Sequence, residues 1–177
     1  MAALRIAFVL STPYPPQEGI GTYVRQLARQ MMSRGHTCTV FTRGGLAAKE
    51  PDEIEGVRVV RPRFLPLYPV HVHLHIPALA RALRAEGPFD VVHFHTPLPA
   101  PARIDAPVVL TVHTPIGPNV KSLQRGEPNL LRTRAQLPVS LGIERRLAAQ
   151  AQVITAVSES SRQGLAEDGI EPSRVQV

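Results

Sequence analysis

Histidine is the residue type in this chain best placed to do chemistry. Seven occur, and His95 and His113 share a setting: each ends a short apolar run and each is followed by Thr-Pro. An imidazole at the end of a strand can donate a hydrogen bond to a hydroxyl or phosphate, or move a proton near neutral pH. His93, inside the same run as His95, reads as a buried histidine with a hydrogen-bond partner rather than as a ligand. His71, His73 and His75 alternate too, and three imidazoles on one face of a strand can bind zinc. Pro66, Pro69 and Pro77 argue against strand geometry there, and no carboxylate stands close by. These three are therefore read as loop and helix-start histidines, and no metal site is expected.

Gly19-Ile20-Gly21 offers a second chemistry. Glycines just ahead of a helix let backbone N–H groups approach an anion, and the helix N-terminus adds about half a positive charge. Phosphate is the natural guest. A dinucleotide site would need a third glycine and an acidic residue closing the second strand. Here the third glycine is absent and the second strand ends Thr42-Arg43, so Arg43 on the extra phosphate of NADP is not the favoured reading. Cys38 is the sole cysteine, which excludes an intrachain disulfide and a cysteine-based zinc set. No Gly-x-Ser-x-Gly elbow surrounds Ser11, Ser140 or Ser158, so no nucleophilic serine is expected.

These groups need elements to hold them. Residues 4–10 form an almost wholly apolar run that reads as a buried parallel strand stopped at Ser11. Residues 12–21, with three prolines and two glycines, read as a loop. Val24, Leu27, Ala28 and Met31 then fall at i, i+3, i+4 and i+7, an amphipathic helix closed by Gly35, and residues 37–42 follow as a second strand. Further strands are expected at 57–60, 90–94, 108–112 and 153–157, with another beginning at 174–177. Helices are expected at 75–86, over 132–150 around Pro138, and from Ser158 as N-cap to Glu167. This alternation predicts an α/β fold: a Rossmann-like, doubly wound, mainly parallel sheet of six to seven strands with helices on both faces. It fills residues 1–177 as a single domain. Ligands in such sheets bind beyond the carboxyl ends of the strands, where four polar loops converge: 11–21, 95–97, 113–115 and 158–159.

Composition sets outer limits. Hydrophobic residues make up 44% and charged residues 19%, enough for a core and against disorder. The formal charge of +6 invites a nucleic-acid or membrane partner, but of the 20 cations only Lys49 and Lys121 are lysines, which looks like a compositional habit. Lys121, Arg125, Arg132, Arg134, Arg145 and Arg146 oppose only Glu127 and Glu144 and carry no aromatics between them, so a single-stranded nucleic-acid platform is not expected. An anionic acceptor or membrane surface suits that stretch, and so does a plain solvated Arg-rich face. The apolar run from Ile6 to Leu10 is too short for a signal segment or a membrane span. The expected location is cytoplasmic, with peripheral contact at the inner membrane face as the variant.

Taken together, several motifs have a common pattern. Ser11-Thr12-Pro13-Tyr14-Pro15-Pro16 is followed by Glu18-Gly19-Ile20-Gly21-Thr22-Tyr23-Val24, a helix ending Ser33-Arg34-Gly35-His36, and Thr39-Val40-Phe41-Thr42. Asp90 to His95, Leu110-Thr111-Val112-His113-Thr114, and Val153 to Glu159 complete the series. In register from Leu4 to Val177, the chain resembles the N-terminal domain of family 4 glycosyltransferases, retaining enzymes of the GT-B fold.

The resemblance implies one half of a GT-B enzyme, in which two Rossmann-like domains face each other across a cleft. The N-terminal half mainly holds the acceptor and the C-terminal half the donor. The reaction it implies moves a sugar from a nucleotide-diphospho-sugar to a sugar, lipid or small-molecule acceptor, with no covalent cofactor and no metal requirement. Gly19, Ile20 and Gly21 match the loop that approaches the donor diphosphate. His113 matches the histidine that hydrogen-bonds the donor sugar near the reacting carbon. Glu18, His95, Thr96, Thr114, Lys121 and Ser158 are the expected acceptor or cleft-lining residues, and Glu18 stands where many relatives have glycine. Relatives continue beyond the position of Val177 into a donor domain with paired glutamates, so the fragment by itself is expected to be inactive. A free-standing nucleotide- or anion-binding module without catalysis is the alternative.

Overall fold

Strand β1 (Arg5–Leu10) is buried from Ile6 onward, and its alternate residues feed two separate cores. Ile6, Phe8 and Leu10 pack with Val24 and Ala28 of α1 (Gly19–Ser33) and with Cys38 and Val40 of β2 (Thr37–Phe41). Ala7 and Val9 pack on the other face with Leu79 and Leu83 of α2 (His71–Glu86), Phe94 of β5 (Val91–His95) and Leu110 of β6 (Val108–Val112). A period-two strand with both faces covered is what a doubly wound sheet requires.

The computed structural model describes residues 2–47, 49–67, 70–123 and 130–177. The remaining elements are β3 (Lys49–Ile54), β4 (Val57–Arg61), α3 (Ile116–Ser122), α4 (Leu130–Gln150), β7 (Val153–Ala156), α5 (Glu159–Glu167) and β8 (Val175–Gln176). They complete an eight-stranded sheet in the order β3-β4-β2-β1-β5-β6-β7-β8. Every pairing is parallel except β3 with β4. From β1 the chain winds outward one way to β3, then returns and winds the other way from β5. The switch point therefore lies between β1 and β5, where Leu10 and His95 are register partners.

Three elements differ from expectation. The sheet has eight strands rather than six or seven, because Lys-Glu-Pro-Asp-Glu-Ile forms edge strand β3 with no more than partial burial at any residue. A strand solvated on both faces carries no hydrophobic alternation to announce it. Its hairpin to β4 turns through Glu55 and Gly56, both at positive φ (54° and 78°), as a two-residue primed turn demands. Helix α2 starts at His71, a full turn before the expected His75, and runs through Pro77. The short helix α3, directly after His113-Thr114-Pro115, was not anticipated. Helix α4 runs through Pro138, where helical residues were expected, while Arg125 and Glu127 lie outside the described residues. No helix among the described residues is long and apolar enough to cross a membrane.

Candidate functional site

His95 is the last residue of β5 and His113 follows β6, so the parallel register sets them side by side at the carboxyl edge. His95 Nδ1 and His113 Nε2 are 3.3 Å apart. Tyr23, from the first turns of α1, covers both, its ring centroid 5.9 Å from that of His95 and 5.1 Å, edge-on, from that of His113. Beneath them, His93 Nε2 meets Thr111 Oγ1 at 2.7 Å, and Thr111 Oγ1 meets Thr155 Oγ1 at the same distance, a polar ladder across β5, β6 and β7. His93 is thus the hydrogen-bonded histidine its sequence setting implied.

Burial keeps these imidazoles neutral. It lowers His93 to about 4, with His113 adding to the effect, and holds fully buried His95 well below the ordinary histidine value. His113 is lowered as well, and the nearby Glu18 carboxylate partly opposes its burial. His95 Nε2 has no hydrogen-bond partner. An orphaned buried N–H is the rarer defect, so the hydrogen belongs on His95 Nδ1, donating to His113 Nε2. His113 then carries its own hydrogen on Nδ1.

The N-terminus of α1 completes this corner. The N–H groups of Ile20 and Gly21 both donate to the Glu18 carboxylate at 2.8 Å. Burial would raise the Glu18 carboxyl, but these hydrogen bonds outweigh it and hold the group below its ordinary value. A Cβ on Gly21 would come within 2.8 Å of Pro16 Cβ and 3.2 Å of Glu18 Oε1, so the chain needs glycine there. The amides that would meet a phosphate are held by a carboxylate of this chain's own.

Beside this corner, at the same edge of the sheet, lies a cavity of about 520 Å³. The ends of β1 and β2 supply Leu10, Thr12 and Arg43; α2 supplies His71 and His75; α3 and α4 supply Asn119, Gln136 and Ser140. Ile20 and Thr114 line it as well. The reading of 71–75 as helix-start residues holds, but none of the three histidines lies in a loop: α2 begins at His71, so His71 and His75 are a turn apart, both buried and facing the cavity, while His73 is exposed. Sequence reasoning named His71, His75 and Arg43 without placing them in one site, and it gave Tyr23 no role. The i, i+4 spacing within a stripe shared with Leu79 and Leu83 was the available signal, masked by Pro77.

The other expected residues fall in different places. Thr96 is fully buried behind the site, its Oγ1 without a partner. Ser158 caps α5, its oxygen accepting from Ser161 N–H at 3.1 Å. Lys121 is exposed on α3 and paired with Glu167 at 3.1 Å, outside the cavity lining.

A doubly wound, mainly parallel sheet with a glycine-opened helix and a histidine pair at its switch point defines a Rossmann-like α/β fold, and solved structures share that fold. Sucrose-phosphate synthase from Thermosynechococcus elongatus superposes with a TM-score of 0.72 at 17% identity, over 98% of this chain and 47% of that one. Anabaena HepE, in complex with UDP and glucose, gives 0.60 at 13% identity, over 98% of this chain and 43% of its own. The chain belongs to Glycosyltransferase Family 4, whose model matches residues 18–177. A curated relative, D-inositol 3-phosphate glycosyltransferase of Acidothermus cellulolyticus, is 31% identical over 176 residues, 90% of this chain. The chain spans 38% of that relative's length.

Proposed function

We propose that this chain is the acceptor-side half of a retaining glycosyltransferase that uses a nucleotide-diphospho-sugar and is completed by a donor-binding domain. The carrying observation is the His95–His113 pair under Tyr23, beside the amino end of α1. His95 orients the ring of His113, and the His113 Nδ1–H is directed to a hydroxyl of the donor sugar. Such a fixed donor stabilises charge that grows as the glycosidic bond breaks. The amino end of α1 faces the departing diphosphate and stabilises its negative charge through the helix dipole and, once Glu18 yields them, through the Ile20 and Gly21 N–H groups. The cavity beside it holds the acceptor hydroxyl near that bond. HepE, seen with UDP and with UDP-glucose, supports this donor class.

The test is release of nucleoside diphosphate from a panel of nucleotide-sugars by the completed enzyme, with and without added acceptors. Release that depends on an acceptor supports the reading. Nucleotide binding without turnover on any donor would instead point to an anion-binding module.

A further inference from the structure

The cavity also carries a charge signature of its own. Its lining includes Arg43, His71 and His75 and no Asp or Glu among the described residues. Arg43 is held at the end of β2 with its guanidinium 5.0 Å from the centre of the Phe64 ring. Burial and the charge of Arg43 both keep His71 and His75 below the ordinary imidazole value, Arg132 adding to the effect at His71, so the three sit within electrostatic reach of one another. His75 Nδ1 lies 2.9 Å from the Arg63 carbonyl and must donate to it, which leaves Nε2 for a ligand. Across the cavity, Asn119, Thr133, Gln136 and Ser140 offer neutral donors and acceptors. At about 520 Å³ the space suits a small polar ligand.

We infer that this cavity takes a soluble acceptor bearing a phosphomonoester, its phosphate held by Arg43, His71 and His75 and its hydroxyls by Asn119, Gln136 and Ser140. Thr114, the neighbour of His113, lines the same cavity, so a ligand anchored there by its phosphate lies beside the catalytic corner. A dianion entering also draws protons onto the two imidazoles, turning a neutral pair into further phosphate donors. The acceptor role rests on the proposed function; the phosphate site does not.

The experiment reads binding without turnover. Inositol phosphate, hexose 6-phosphates, glycerol phosphate and inorganic phosphate are titrated into the protein by calorimetry, each beside its unphosphorylated parent where one exists. At least one phosphorylated polyol should bind about tenfold or more tighter than its parent, and Arg43→Gln should remove about that factor, the size of a charged hydrogen bond. Histidine NMR signals of His71 and His75 should shift on binding in the wild type. His75→Gln, which keeps a polar side chain, serves if Arg43→Gln proves unfolded by circular dichroism. Equal affinity for phosphorylated and neutral polyols, or Arg43→Gln and His75→Gln both without effect, overturns the inference. Binding confined to vesicles containing phosphoinositides, with none of the soluble esters bound, overturns the soluble acceptor in favour of a lipid headgroup. Phosphoester binding without glycosyl transfer would leave the site standing and remove the enzyme reading. Transfer to neutral acceptors with an unchanged acceptor KM in Arg43→Gln would do the reverse.

Discussion

The carboxylate of Glu18 accepts the N–H of Gly21 at 2.8 Å, so the anion position at the head of α1 is filled from within the chain. A diphosphate competes with Glu18 for the same two amides and is repelled by its charge. Glu18→Gly removes the competitor and a helix cap together. The variant should lose about 1 kcal/mol of stability, the usual worth of an N-cap contact. It should also bind pyrophosphate or a nucleoside diphosphate about three- to tenfold more tightly, a repulsion of roughly 1 kcal/mol released at a partly exposed site. Calorimetric titration of both proteins decides, and weaker binding by the variant would show that Glu18 preorganises the loop rather than blocking it.

Glu18 also offsets part of the effect of burial on His113, since the carboxylate nearby favours the imidazolium form. Glu18→Gln should therefore move the His113 titration to lower pH, followed through the ring protons by NMR. An upward move would mean that the substitution lets water reach His113 and relieves the effect of its burial.

His113→Ala in the completed enzyme should lower turnover by roughly 10² or more, the scale of a lost transition-state contact. The loss should appear in kcat more than in KM, because the contact grows as the sugar bond breaks. Near-wild-type turnover removes His113 from the reaction.

Much of this was legible in the residues, for reasons that differ between parts. Apolar runs such as 108–112 are buried on both faces of a parallel sheet, so burial wrote them directly into the sequence. The strand ends gave His95 and His113 for the same reason: where an apolar run stops at the carboxyl edge, the next residue is at the crevice. What stayed hidden was held by contacts rather than pattern. Strand β3 is solvated, the His71–His75 face was obscured by Pro77, and Arg43 gains its meaning only from α2 packing across from it. No local spacing shows that a helix many residues later will bring two imidazoles to one arginine.

Glu144 gives the fold a pH dependence. It lies on α4 with 1% of its surface exposed, and burial followed by the charge of Asp168 beside it raises its pKa to about 8, against the smaller opposing effect of the Ile116 backbone N–H. Protonated, it donates to Asp168, with Arg145 as the neighbouring cation. An unfolded glutamate ionises near 4.5, so between 4.5 and 8 the folded state binds the extra proton and stability falls as pH rises. Below 4.5 the penalty is absent and above 8 it is complete. Glu144→Gln should flatten that fall and raise stability at pH 8.5 by about 1–3 kcal/mol, the cost of a buried unsatisfied charge. Melting curves at pH 5.5 and 8.5 test it, and parallel losses in both proteins would count against Glu144 as the source.

The same corner makes Gly117 indispensable. Its N–H donates to Asp168 Oδ2 at 2.8 Å, and a Cβ on it would lie 1.8 Å from Asp168 Oδ1, an overlap no rotamer of a 3%-exposed aspartate can absorb cheaply. Gly117→Ala must push α3 away from the end of α5 and break that bond, for about 2–4 kcal/mol of lost packing and hydrogen bonding. Gly142 supplies the control: exposed within α4, with nothing within 4 Å of an added Cβ. There alanine should gain about 0.5–1 kcal/mol from helix propensity. The two single-methyl substitutions should therefore shift the melting midpoint in opposite directions, by roughly 2–4 °C per kcal/mol for a domain of this size. A Gly117→Ala protein that melts with the wild type would mean that α3 is free to slide, and that its contact with Asp168 does not hold the cavity wall.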